Sequence, residues 1–377
     1  MVVATHRPSR VLIDESAIYN NVTHAVADLD DSSALFAVIK ADAYGHGLLR
    51  VARIALAAGA TGFCVAVLDE ALGLREAGYT QPILVLGIIE PQYAELAAQH
   101  DIAVPVAERD WLQKAAKSLT GELPLKVHTA VDTGMGRIGF TSDADLRAAA
   151  DYMQAHADKF NHEGIFTHFA TADSLDKTQF HQQATRFNQF VAALPVRPKY
   201  VHVANTATSL WHRACHSNIV RFGVGIYGLN PSGREISQTP YALQPALSLE
   251  SALTQCKHVP AGTTISYGAT YVSAAPEYIG TVPMGYADGW LRRMQGFHVL
   301  VDGHECEMVG RVCMDQFMIR LPHAYPAGTK VVLIGKSGGK EITLQDAAEY
   351  AGTIHYEIAC CLSERLPRVS INKISES

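Results

Sequence analysis

The chain has 377 residues, 48% of them hydrophobic, enough to bury the core of two domains or of one large barrel with a smaller unit. Acidic residues outnumber basic ones by 37 to 31, and with no basic cluster that balance offers no pull toward nucleic acid or an anionic membrane. The opening "MVVATHRPSR" lacks a signal-peptide core, and the uncharged, apolar stretch Ile54 to Leu68 falls short of the ~18 apolar residues that a spanning helix needs.

A first helical segment is predicted at about Asp14 to Leu29. After it, short apolar, β-branched runs alternate with amphipathic ones. The predicted strands are Leu35–Lys40, Gly62–Val67, Ile83–Leu86, Ile102–Val106, Leu125–Val131, Gly164–Phe169, Tyr200–Ala204 and Ile219–Ile226. Helical patterns such as "LLRVARIALAAG" and "DADLRAAADYMQAHA" lie between them. These strands read as unbroken apolar runs, as strands covered on both faces do. The succession predicts an α/β fold with an N-terminal (β/α)8 barrel of the TIM type; an open, doubly wound sheet is the competing topology. Past Tyr227 the beat stops. "GLNPSGREISQTPYALQP" reads as a linker, and short strands follow, with hairpin signals at Asp302–Gly303 and Ser337–Gly339. A second, β-rich domain is expected over 240–377, with 1–239 as the barrel and a helical piece near Leu344–Tyr350.

The cysteines are Cys64, Cys215, Cys256, Cys306, Cys313, Cys360 and Cys361. Their number is odd and no C-x-x-C pair occurs, so no disulfide framework or metal site is expected, and a reducing cytoplasm suits the chain.

Polar residues at the C-terminal ends of barrel strands face the active site. Lys40 ends the first predicted strand. Asp132 and Arg137 follow the fifth, His168 lies near the end of the sixth, Asn205 ends the seventh and Arg221 lies in the eighth. A lysine at such a place is either a solvated strand end or a Schiff-base former. The second role needs a neutral amine, favoured by desolvation or nearby cations. The apolar run before Lys40, with Arg137 and Arg221 on the same mouth, would supply both. Barrels often hold phosphate after strands seven and eight. Those loops read "ANTATS" and "RFGVG", where Thr206 and the backbone at Gly223 and Gly225 suit an anion. "GMGRIG", Gly134–Gly139, matches a dinucleotide fingerprint but fails on context. Five strand units precede it, and the next strand ends in His168 and Phe169 rather than an acid.

"AVIKADAYGHG" resembles the pyridoxal-phosphate (PLP) attachment motif of the alanine racemases. "VDTGMGRIG", "THFATAD", "VHVANTA", "VRFGVGIYGLNP", "SYGATY", "GYADGW", "VGRVCMDQ" and "TIHYEI" follow in that family's order over nearly the whole chain. The resemblance implies a PLP-binding barrel followed by a β domain, and a cytoplasmic homodimer with shared active sites. It implies an isomerase that interconverts L- and D-alanine by two-base proton transfer on a PLP external aldimine, supplying D-alanine for peptidoglycan. Lys40 would hold PLP as an internal aldimine and act as one acid/base. Tyr267, from the other subunit, would be the second. Arg221 would donate to the pyridine nitrogen, with His168 behind it. Tyr44, Thr206, Gly223, Val224 and Tyr356 would hold the phosphate, with Asn205 also at the cofactor. Arg137 and the partner's Met314 would lie by the phenolic oxygen and the substrate carboxylate, with Asp315 on the same partner loop. Asp173, Tyr286, Arg292 and Arg311 match the family's substrate entryway.

Two bases on opposite faces racemise a substrate without turning it over. Cations help a tyrosine to serve as one of them, and the Arg221–His168 pair is the expected source. Arginine keeps its proton, so the ring nitrogen stays unprotonated and the cofactor is a weaker electron sink, favouring reprotonation over transamination.

One position departs from the pattern. Many family members carry a carbamylated lysine seven residues before the arginine of "DTGMGR"; here that position is Ala130. An anion such as chloride, a water, or His128 is expected to take its place. A non-catalytic PLP-binding barrel is the reading from another class, but it would lack the β domain and its tyrosine. A decarboxylase of similar architecture, or a racemase for serine or a larger amino acid, competes among enzymes. Tyr286 and Tyr356 argue for a small substrate.

Overall fold

The computed structural model describes residues 2–213 and 217–374, so Cys215 lies outside the described residues. The chain divides into two compact units. One holds Ile18–Ala43 and Gly47–Gln244; the other holds Met1–Ala17, Tyr44–His46 and Pro245–Ser377.

In the first unit eight parallel strands form one sheet: β1 (Ala34–Val38), β2 (Gly62–Val65), β3 (Ile83–Val85), β4 (Ile102–Val106), β5 (Leu125–Ala130), β6 (Phe160–Phe166), β7 (Tyr200–His202) and β8 (Ile219–Phe222). β8 pairs with β1 from Ala34↔Ile219 to Ala37↔Phe222. β7 meets β8 through the N–H groups of Asn218 and Arg221, which donate to the carbonyls of Val201 (3.2 Å) and Ala204 (2.9 Å). The sheet therefore closes into a barrel, not the open alternative. Every residue of β2, β3, β4 and β8 is buried, which is why these strands carry no alternation.

Two strand boundaries differ from expectation. β1 stops at Val38, so Lys40 opens the following turn instead of ending a strand. β6 begins at Phe160, ahead of the expected Gly164. The polar run Asn161-His162-Glu163 hid its first half, which pairs with β5 from Leu125↔Phe160 across a register shift at Val127/His128.

The second unit is built on a ten-stranded sheet, antiparallel except where Arg10–Asp14 runs parallel to Arg368–Ile371. Arg10–Asp14 also pairs with Leu247–Glu250. The first residues of the chain thus pack with its last third, whereas the expected division assigned all of 1–239 to the barrel. The strand's five-residue alternation gave too short a signal beside the helix that follows, Glu15–Ala27. Asp302 and Gly303, at φ 48° and 78°, join His298–Val301 to His304–Val309, and Gly338–Gly339 turn the next hairpin. Helix Leu344–Ala351 lies where expected, and a second helix, His355–Cys361, is too short to show a period in sequence. No helix among the described residues is long and apolar enough to cross a membrane.

Candidate active site

The stretch after β1 has an unusual backbone. Ala41, Asp42, Ala43 and Tyr44 all have φ between 51° and 54°, so the turn Lys40–Gly45 is left-handed. Non-glycine residues in that conformation cost roughly 1–2 kcal/mol each, and such strain gathers at functional sites. Three bonds hold the turn in the barrel unit. The N–H of Ala43 donates to Ile39 O (2.8 Å), that of Ala41 to Glu70 Oε1 (2.6 Å), and that of Leu48 to Asp42 Oδ1 (2.7 Å). Asp42 thus closes the loop. Lys40 is half-buried at its start, and beside it Cys64 is a fully buried thiol whose pKa burial pushes up to about 12.

Arg221 is buried in β8 and tied down by both ends of its guanidinium. Nη2 donates to the carbonyl of Thr167 (2.8 Å), and Nη1 lies 2.6 Å from His202 Nδ1. Burial lowers the arginine to about 10, which still leaves it charged at neutral pH. His168 Nδ1 lies 3.4 Å from Arg221 Nη2, and its Nε2 lies 3.5 Å from Asn205 Nδ2. Burial, then Arg221, Arg137 and Lys40, drive His168 well below its ordinary value. It is neutral. The expected cationic pair is therefore one cation, Arg221, with a neutral imidazole against it.

Asn205 caps the short helix Thr206–His212, accepting from the N–H of Thr208. Thr206 Oγ1 accepts from the N–H of Gly223 at 2.8 Å, which brings Thr206, Gly223 and Val224 onto one buried rim. The "GMGRIG" stretch is a turn and not a nucleotide loop. Asp132 Oδ1 accepts from the N–H groups of Gly134, Met135 and Gly136, and a Cβ on Gly139 would lie 2.4 Å from the Asp132 nitrogen. Arg137 is exposed on this turn. Beside it, buried Ala130 lines a crevice of about 10 Å³ with Phe166, Thr167 and His168. That is about the threshold for one water. His128 does not fill in for the lysine, because its two nitrogens face His202 and Glu163.

The second unit carries the other predicted residues. Tyr267 is 68% exposed, in a tight turn with Ser266, Gly268 and Ala269 at positive φ. Ser266 Oγ donates to the carbonyl of Arg311 (2.6 Å), which fixes that turn on the Arg311–Asp315 loop. The N–H groups of Tyr286 and Ala287 donate to Cys313 O (3.1 Å) and Met314 O (3.0 Å), so Tyr286 and Met314 share one surface. Asp315 pairs with Arg365 (2.5 Å), and Arg292 is exposed a few residues past Tyr286. Tyr44 packs on Tyr356 with ring centroids 6.0 Å apart, and Tyr356 stacks on His355 (4.6 Å). Asp173 lies in the barrel unit, half-buried, its carboxyl raised by that burial.

Sequence reasoning missed His202 and Glu163 altogether. The available signal was a polar residue in or beside a predicted barrel strand: His202 within Tyr200–Ala204, and Glu163 just ahead of Gly164–Phe169. Such histidines make the fold acid-sensitive. Burial lowers His128, His168 and His202, and takes His162 and His355 to about 4. Unfolded, each binds a proton near pH 6.5. Protons then favour the unfolded chain, so stability is full above about pH 6.5 and is lost as the pH falls toward the folded values. The expected loss is about 1.4 kcal/mol per group per pH unit within that window. Melting curves at about pH 7.5 and about pH 5.5 check it: the midpoint should drop steeply, and a flat response would contradict neutral burial.

The chain is similar to known proteins over nearly its whole length. A family model described as the alanine racemase N-terminal domain matches residues 13–231, and one for the alanine racemase C-terminal domain matches 246–370. A curated relative named alanine racemase, from Lacticaseibacillus casei, is 62% identical over 377 residues, covering 99% of this chain and all of its own. The crystal structure of alanine racemase from E. faecalis is 53% identical, with a TM-score of 0.96 over 98% of this chain and 100% of that one. A histidine racemase from Leuconostoc mesenteroides subsp. sake is 37% identical, with a TM-score of 0.91 over 98% and 99%.

Proposed function

The chain belongs to the alanine racemase family, and on that premise we propose how it interconverts L- and D-alanine on pyridoxal phosphate. When bound, the cofactor supplies an aldehyde that joins amino groups and a ring that draws electrons from the substrate's Cα–H bond. The residues present fit that group: an amine at Lys40, a buried cation at Arg221, and the hydroxyl and backbone rim of Thr206 and Gly223. The observation that carries the reading is Arg221, a charged guanidinium buried in the eighth strand and anchored on both nitrogens.

Lys40 holds the cofactor covalently and moves the Cα proton on one face. Tyr267 moves it on the other, and its exposure suits service to a second copy of the chain in a homodimer. Arg221 donates to the ring nitrogen without surrendering its proton, and neutral His168 positions it. Tyr44, Thr206, Gly223, Val224 and Tyr356 hold the phosphate, with Asn205 behind Thr206. Arg137 and the partner's Met314 bind the substrate carboxylate. Asp173, Tyr286, Arg292, Arg311 and Asp315 shape the way in. The residues after 240 thus contribute Tyr267 to the partner's site. The product serves peptidoglycan precursors in the cytoplasm.

The test is product composition. Purified holoenzyme given either pure enantiomer of alanine should end near an equal mixture, and only when PLP is bound. A holoenzyme that leaves both enantiomers untouched ends the reading. The histidine racemase shows that a similar fold is found with another substrate named, so histidine and serine belong in the same assay. The greater identity to the alanine racemases favours alanine.

A further inference from the structure

Arg221 is the end of a chain of buried polar groups that the racemase reading does not use. A guanidinium only donates. Its Nη1 lies 2.6 Å from His202 Nδ1, so that nitrogen accepts and the ring proton sits on Nε2. His202 Nε2 lies 2.9 Å from His128 Nδ1, which must accept in turn. The proton of His128 therefore sits on Nε2, facing Glu163 Oε2 at 3.4 Å. All three hydrogen bonds point the same way, from Arg221 to a carboxylate. Reversal would set two donors against each other at Arg221.

The chain is built, not incidental. β5, β6 and β7 place Ala130, Phe166 and His202 at one level, and His128, Gly164 and Tyr200 one step below. The descent from His202 to His128 thus follows the strand register. A Cβ on Gly164 would lie 2.4 Å from His128 Nδ1, so only glycine leaves room for the ring. His202 stacks on Phe166 (5.2 Å, 10° between planes), and His128 stacks on Tyr200 (5.8 Å, 24°). Arg221 lies 5.5 Å over the same Phe166 ring. Both imidazoles are held neutral by burial. At the far end Glu163 is 14% exposed; burial opposes its charge, but His128, Lys126 and Lys199 outweigh it and keep the carboxyl low.

We propose that Glu163, His128 and His202 form a hydrogen-bonded wire of fixed direction that orients Arg221 and weakens its donation to the cofactor ring. A carboxylate at the end strengthens each bond in a chain, because charge-assisted hydrogen bonds are about twice as strong as neutral ones and polarise their neighbours. The more firmly His202 draws the Nη1 hydrogen, the less the guanidinium gives to the ring nitrogen. The three are positioning residues: none is placed against substrate. The role toward the ring rests on the assignment of Arg221 above; the wire itself does not.

Glu163→Gln keeps an acceptor for His128 and removes the charge. In wild-type apoprotein labelled with ¹⁵N-histidine, NMR should show two slowly exchanging, far-downfield imidazole protons, both on Nε2. In Glu163→Gln both should move upfield. In the holoenzyme the variant should shift the cofactor absorbance, lower kcat about tenfold with KM nearly unchanged, and raise transamination per turnover. A proton on Nδ1 of either ring, or unmoved imidazole signals in the variant, overturns the wire whether or not the protein racemises alanine. A variant that only melts lower, with absorbance, kcat and transamination unchanged, overturns the tuning role.

Discussion

Lys40→Ala should lose racemisation by about 10⁴-fold or more, because it removes both the covalent anchor and one of two proton carriers. General acid–base catalysis alone contributes about 10²–10⁴-fold. Among the described residues, no other lysine closely follows the end of a barrel strand to take over. The variant should still fold. Its left-handed turn is held by backbone and carboxylate bonds at Ala41, Ala43 and Leu48, which the substitution does not remove. The covalent role is separable from the proton role. Borohydride should leave a reduced pyridoxyl group on Lys40 in wild type and none on the variant. If the variant turned over at a tenth of the wild-type rate, or if wild type carried the adduct on another residue, the mechanism would need a different anchor.

The architecture was legible because burial on both faces leaves a plain mark: eight apolar runs without alternation. What the sequence concealed has physical causes. The left-handed turn begins four residues before any glycine, and no L-residue pattern announces a conformation that disfavours all of them. The strand Arg10–Asp14 finds its partners more than two hundred residues away, at Leu247–Glu250 and Arg368–Ile371. Nothing local in the sequence links His128, which reads there only as a neighbour of Ala130, to His202 and Glu163, and only the register of β5, β6 and β7 sets them in line. The charge on His168 was misjudged for a related reason. Proximity to Arg221 suggested a pair of cations, but a buried imidazole beside a guanidinium sheds its proton.

Tyr267→Phe should lose most of its racemisation while the protein keeps its PLP absorbance. The change deletes one hydroxyl from a side chain that is 68% exposed, so neither the core nor the cofactor anchor is disturbed. The turn around it stays in place through Ser266 Oγ and the Arg311 carbonyl, which the substitution does not touch. The rate should fall about 10²–10⁴-fold, the usual weight of one positioned proton carrier. The more telling result is asymmetry. In deuterated water Lys40 still removes the Cα proton from whichever enantiomer presents it to its own face and can return deuterium there. That enantiomer should exchange its α-hydrogen without inverting. The opposite enantiomer, which needs the tyrosine to begin, should keep its proton. Equal exchange from both, or racemisation at the wild-type rate, would assign the second face to some other group.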